Sequence, residues 1–194
     1  MKKPRNNLFE EEEVEEPIIE VINNRVYFYN EVSVQTVLKL SKTLRIIENK
    51  MLKFQIDYQL KDPPTIYLHI QSTGGDAYAG LSAMNTIENI KVPVITIVDG
   101  YVASAATFIL FGGSERWMQK NSSLLIHQIR TEFWGRFEEL KDDMKNSTTL
   151  MEDIIRIYTE KSEIPKKKLN RIMKRELNLD ASTCAKYNIV HKIL

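Results

Sequence analysis

One cysteine, Cys184, is all that the 194 residues contain. A lone thiol closes no internal disulfide, builds no cysteine-based zinc cluster, and fits a reducing cytosol. An excess of one charge is also missing: 27 Lys and Arg stand against 26 Asp and Glu, a net charge of +1. Dedicated nucleic-acid binders carry a clear basic excess, so that class is disfavoured. No long apolar run is present. The most apolar stretch, residues 92–113, is broken by Pro93, Asp99, Gly100 and Ser104. It reads as buried strand, turn and helix, not as a membrane span. No apolar run follows the basic residues Lys2, Lys3 and Arg5, so no secretory signal is expected. The three histidines, His69, His127 and His191, lack metal-ligand spacing such as His-Glu-x-x-His, so no metal is expected. These absences lead to the expectation of a soluble cytoplasmic protein.

What is present is ordinary globular composition, 43% hydrophobic and 27% charged, in a length suited to one domain with its own core. Residues 1–17 stand apart as an arm. Six glutamates fall between positions 10 and 16, followed by Pro17. Such a segment buries too little apolar surface to order itself, and it reads as a solvated tail or a partner-contacting arm. The domain is expected over residues 18–194.

Strand and helix then alternate. Residues 25–29, 65–71, 94–98 and 123–129 have the β-branched and aromatic character of strands. Val34, Val37, Leu38, Leu44 and Ile47 fall on one helical face behind Ser33, a candidate N-cap. Residues 50–64, polar with two prolines, read as a loop or short insertion. Ala77, Leu81, Met84 and Ile87 mark a second helix, and residues 103–111 a short apolar one. The pattern implies an α/β fold with a mainly parallel sheet. A long helix follows over about residues 137–158, with Phe137, Leu140, Met144, Met151, Ile154 and Tyr158 at three-to-four spacing. A helix that long is expected to protrude. A basic helix opens near Pro165, and a short one follows Asp180, a candidate N-cap.

Three segments have the residue types that chemistry needs. Ser72-Thr73-Gly74-Gly75-Asp76 joins a strand to a helix. Ligands gather at the carboxyl ends of such strands, and free amides at a helix start stabilise negative charge. The same glycines also read as a plain turn. The order matches neither a dinucleotide fingerprint nor a P-loop, so no nucleotide cofactor is implied. Gly100-Tyr101-Val102-Ala103-Ser104-Ala105-Ala106 likewise follows a strand and opens a helix. Ser104 is there a candidate nucleophile, or a cap or small packing residue. His127, at the end of an apolar strand, is a candidate base or a satisfied core residue. His69 reads as structural and His191 as surface.

Taken in order, these segments resemble the ClpP family, the proteolytic subunits of ATP-dependent Clp proteases. Ser-x-Gly-Gly resembles the family's Ser-Pro-Gly-Gly turn, Gly-x-x-Ala-Ser104 its nucleophile segment, and Leu-x-Ile-His127-Gln its histidine strand. Leu179-Asp180-Ala181 with Tyr187-Asn188-Ile189-Val190 resembles its closing box. The likeness covers roughly residues 25–194. It implies the ClpP/crotonase-like α/β fold, with repeated βαβ units and a handle at about residues 128–160.

The resemblance also implies a serine endopeptidase with Ser104 as nucleophile, His127 as general base, and an oxyanion hole made by the Gly75 and Ala105 amides. The family's acid is an Asp following an Arg; here that position holds Glu176, after Arg175. Asp180 is the rival carboxylate. The resemblance places substrate between Asp76 and Ala77 on one side and Ile129 and Arg130 on the other. It gives Arg175 a role in ring contacts. It implies a polypeptide substrate, two stacked heptameric rings, an AAA+ unfoldase partner of the ClpX or ClpA type, and no cofactor in the subunit itself. Three alternatives remain: a ring subunit with an impaired site, which the Glu176 departure favours; a phage prohead-maturation protease on the same fold; and a crotonase-type enzyme acting on acyl-CoA esters.

Overall fold

The computed structural model describes residues 19–194, so the acidic arm expected at residues 1–17 lies outside the described residues. Strands β1 (Ile19–Ile22) and β2 (Arg25–Phe28) form an antiparallel hairpin that turns at Asn23, φ 57°, a residue that tolerates the left-handed region. Helix α1 (Val34–Asp57) starts at Ser33, whose side chain closes a capping box with Thr36. Then come β3 (Ile66–Ser72), α2 (Ala77–Glu88), β4 (Val94–Ala103), α3 (Ala106–Phe111), β5 (Glu115–Met118) and β6 (Ser123–Leu125). The chain closes with α4 (Phe137–Lys161), α5 (Lys166–Met173), β7 (Leu179–Asp180), α6 (Ala181–Lys186) and β8 (Lys192–Ile193). The main path of the sheet is β1-β2-β3-β4-β5-β8. Every neighbouring pair on it after the first hairpin is parallel, which makes this the α/β class.

Strand β4 decides where the site sits. Its first half, Ile95 to Val98, pairs with β5, and its second half, Tyr101 to Ala103, pairs with β6. Asp99-Gly100 resembles a turn in sequence, yet the strand runs through it, because β6 supplies a fresh partner on the far side. Ser104 is thereby carried to the very end of a central strand. The helix expected from residue 103 starts only at Ala106. All six α3 residues, five of them apolar and the sixth Thr107, are buried.

Other boundaries differ from the sequence expectation for physical reasons. Residues 50–57 are helix, not loop. The first proline comes only at Pro63, Met51 and Leu52 pack against the core, and Phe54 stacks on Tyr58 one turn later. Val34 and Leu38 are exposed, at 68% and 52%, while Leu40 takes the buried position. The strand expected over residues 123–129 stops at Leu125. In α4 only Ile154, Ile157 and Tyr158 are buried, whereas Phe137 and Met144 are exposed, so its first half stands clear of the core. Among the described residues no helix is long and apolar enough to cross a membrane.

The C-terminal segment is fastened by one cation. Arg116 is buried, and its guanidinium donates to the carbonyls of Ile189 (2.7 Å), Asn188 (2.9 Å) and Lys161 (2.9 Å). Burial pulls its pKa down to about 10, so it stays charged at neutral pH. Arg116→Met would leave three carbonyls without their donor. It is expected to lower stability by about 3 kcal/mol or more in chemical denaturation, and Arg116→Lys is expected to recover little, because the donors of an ammonium all radiate from one nitrogen and do not span acceptors served here by Nε and Nη2.

Candidate active site

The residues after β3 and β4 meet at one place. Ser104 has φ 54°, a left-handed conformation that costs a side-chain-bearing residue about 1–2 kcal/mol. Its amide donates to the Leu125 carbonyl (3.0 Å), and its own carbonyl accepts from the Thr107 amide (3.0 Å) and the Thr107 hydroxyl (2.6 Å). The Gly74-Gly75 turn lies directly against it. A Cβ on Gly74 would come within 2.7 Å of the Ser104 Cβ and 3.2 Å of the Ala105 nitrogen, so glycine is what permits the approach. Gly75, φ 141°, is tied to the segment before α1: Val32 donates to the Gly74 carbonyl (2.7 Å), and Asp76 donates to the Val32 carbonyl (2.8 Å). Among the described residues, neither the Gly75 nor the Ala105 amide donates to a backbone or side-chain acceptor. Two amides without a protein acceptor thus lie in the two turns that meet at Ser104.

His127 lies two residues beyond β6. The Gln128 amide donates to the Met173 carbonyl (3.1 Å), and the Ile129 amide reaches the Met151 sulfur (3.4 Å), which pins this stretch to α5 and α4. Ser104 and His127 line one cleft of about 670 Å³ together with Gly75, Asp76, Ala77, Ile129 and Arg130. A smaller recess beside Ser104 and His127 is walled by Ala105, Phe108, Ile154 and Tyr158. Burial holds the His127 pKa below its ordinary 6.5, the main chain of Gln128 opposes this, and the Arg130 charge adds to the depression. His127 is therefore neutral at pH 7, the form that accepts a proton. Cys184 is buried and its thiol is pushed up to about 12, which leaves it inert as a nucleophile.

The third assigned member is placed elsewhere. Arg130 donates to the Glu176 carboxylate, and both side chains are largely exposed. Among the described residues no carboxylate bonds to His127. Asp180 caps α6 through the Thr183 amide (2.8 Å), so it is occupied as a cap. Arg175 is exposed beside Glu176. Sequence reasoning did not single out Arg130 as Glu176's partner, nor Thr107 and Tyr158, which bond to each other behind Ser104. His69 lies away from the cleft. Its Nε2 accepts from Arg25 (2.9 Å), its Nδ1 faces Asp99 (2.9 Å), and its ring stacks on Tyr27, a structural cluster within the sheet.

A pH prediction follows from the cation beside His127. A base works only when neutral, so with His127 and Ser104 in the roles the resemblance implies, acylation of Ser104 is expected to fall as pH drops through the His127 pKa, with a midpoint below 6.5. Arg130→Gln removes a depressing charge and should move that midpoint upward. The check is the acid limb of kcat/KM in both proteins; an unmoved limb would show that Arg130 does not act on His127.

A family model described as Clp protease matches residues 15–194. An ATP-dependent Clp protease proteolytic subunit of Deinococcus radiodurans is 30% identical over 131 residues, covering 66% of this chain and 64% of the relative. Proteolytic subunit 2 of Treponema denticola is 35% identical over 130 residues, covering 66% and 65%. The chain thus spans just under two thirds of the length of these two relatives. Among solved structures, a point mutant of ClpP1 from Listeria monocytogenes superposes with a TM-score of 0.74 over 89% of this chain and 91% of that one; at 24% identity it speaks for the fold. With the matched model spanning the turn, the serine and the histidine described above, the chain belongs to the Clp protease family, that of the ClpP-type proteolytic subunits.

Proposed function

We propose that this chain is the peptidase subunit of a ClpP-type assembly and cleaves polypeptides by acyl transfer through Ser104. The observation that carries the reading is that Ser104, neutral His127 and Gly75 line one cleft, with Ala105 in the recess that adjoins it, and that neither the Gly75 nor the Ala105 amide has a protein acceptor. The Ser104 hydroxyl attacks the scissile carbonyl and passes its proton to His127. The carbonyl oxygen, now negative, is held by the two amides. His127 returns the proton to the departing amine, leaving an ester on Ser104. Water then attacks that ester by the same route in reverse, releasing the acid. Glu176 is the anion that fixes the imidazole, and it must leave Arg130 to do so. The substrate runs extended between Asp76 and Ala77 on one side and Ile129 and Arg130 on the other. The two stacked heptameric rings and the AAA+ unfoldase belong to the same proposal. Exposed Trp134 and Phe137, 97% and 70% accessible, give the protruding handle apolar surface for a neighbouring subunit to cover.

One observation favours a second reading, a ring subunit that is not catalytic: the carboxylate is engaged by Arg130, not by His127. A fluorophosphonate serine probe separates the two. The peptidase reading expects the Ser104 peptide to be modified in the assembled protein and unmodified in Ser104→Ala. No labelling of a correctly assembled ring would favour the structural subunit.

A further inference from the structure

Ser104 keeps a left-handed backbone that its residue type disfavours, so groups outside the turn must hold it there. The Thr107 hydroxyl has a single hydrogen, and it donates that hydrogen to the Ser104 carbonyl at 2.6 Å. Its bond with Tyr158 therefore has the tyrosine hydroxyl as donor. The result is a chain of two hydrogen bonds, from Tyr158 on α4 through Thr107 on α3 to the Ser104 carbonyl. Thr107 is fully buried and Tyr158 is 2% exposed, so water does not compete for either hydroxyl. The tyrosine ring is itself fixed, edge-on to Phe111 at 5.3 Å and tilted against Phe108 at 6.0 Å.

The Ser104 carbonyl and the Ala105 N–H belong to one planar trans peptide, in which they point in opposite directions. Drawing the carbonyl onto Thr107 points the Ala105 N–H the opposite way, and Ala105 lines the recess beside Ser104 and His127. We propose that Tyr158, acting through Thr107, is a positioning residue for the reaction: its hydroxyl fixes the Ser104–Ala105 peptide plane so that the Ala105 amide faces the developing oxyanion. This rests on the reading of Ser104 as nucleophile. It goes further in assigning α4 a direct hydrogen-bonded hold on the nucleophile turn, beyond its packing against α3.

Tyr158→Phe keeps the ring and deletes the donor. Thr107→Val deletes the relay at constant shape, and Thr107→Ser keeps it. Peptide kcat and KM and the fluorophosphonate labelling rate of Ser104 are measured for the assembled wild type, these three variants and the Tyr158→Phe/Thr107→Val double variant. An intact oxyanion donor contributes about 10²–10³-fold, so a loosened one should cost kcat and labelling roughly 10-fold, with KM within about two-fold. Thr107→Ser should stay near wild type. The double variant should be no slower than Thr107→Val alone, since both changes cut one chain. An unchanged kcat in Tyr158→Phe would overturn the proposal, as would losses that multiply in the double variant. A wild type that labels at Ser104 while Tyr158→Phe labels equally fast defeats the positioning role alone. A wild type that never labels defeats the peptidase reading and this inference with it.

Discussion

Glu176→Gln is expected to lower Ser104 acylation by about 10⁴-fold, the scale on which a serine hydrolase suffers when its imidazole is held in the wrong tautomer. The amide keeps the shape of the carboxylate but loses the charge that the proposed mechanism sets against the imidazolium, and it can present an N–H where an acceptor is needed. The loss should appear in kcat/KM for a peptide and in the labelling rate alike, because both report formation of the tetrahedral centre. Glu176→Asp should remain within about ten-fold of wild type, since it preserves the anion. Arg130 gives the experiment its contrast. Freed of its Arg130 partner, Glu176 in Arg130→Gln should be at least as effective an acid as in the wild type. If Glu176→Gln costs under about ten-fold, the Arg130 pair is an ordinary exposed ion pair of the kind that contributes 0–1 kcal/mol, and His127 works without a carboxylate or does not work at all.

The asymmetry between Ser104 and Glu176 explains much of what the sequence let one read. The apolar run at residues 94–98 is covered on both faces, so its composition betrays it as a central strand, residues 65–71 show theirs through β-branched and aromatic residues, and the order of Gly75, Ser104 and His127 follows the strand order that brings them together. Boundaries set by distant partners were hidden. β4 passes Gly100 because of β6 about twenty residues later, and no local pattern encodes that pairing. The end of α1 was obscured by Ile46 and Ile56, exposed at 57% and 75%, which blur the one-sided stripe that marks a surface helix. The bonds around the site were equally silent. Thr107 and Tyr158 are 51 positions apart and each looks like core; Arg130 and Glu176 are 46 apart and each looks like surface. The resemblance identified which carboxylate to watch, and only the fold disclosed the cation beside it.

Gly75→Ala is expected to cut kcat by about 10²–10³-fold, the loss that follows removal of one oxyanion donor, and to lower stability as well. The backbone at φ 141° suits glycine and strains any other residue, by about 1–3 kcal/mol. Sterics add to this. The new Cβ would collide with the Val32 carbonyl and press on the Glu31 side chain at 3.1 Å. Val32 is joined to the turn by two hydrogen bonds, from its amide to Gly74 and from Asp76 to its carbonyl. Relieving the clash means opening that bridge, which turns the Gly75 amide away from Ser104. Gly100→Ala is the matched control. Its Cβ would meet only the flexible end of Gln71, at 2.5 Å, on the same strand that delivers Ser104, so kcat should stay within about two-fold of wild type. Equal losses in both variants would mean that neither segment leading to Ser104 tolerates an added methyl, and the special role of Gly75 would fall. A large loss confined to Gly75→Ala, with the protein still assembled and KM little changed, would tie the rate to the orientation of one backbone amide.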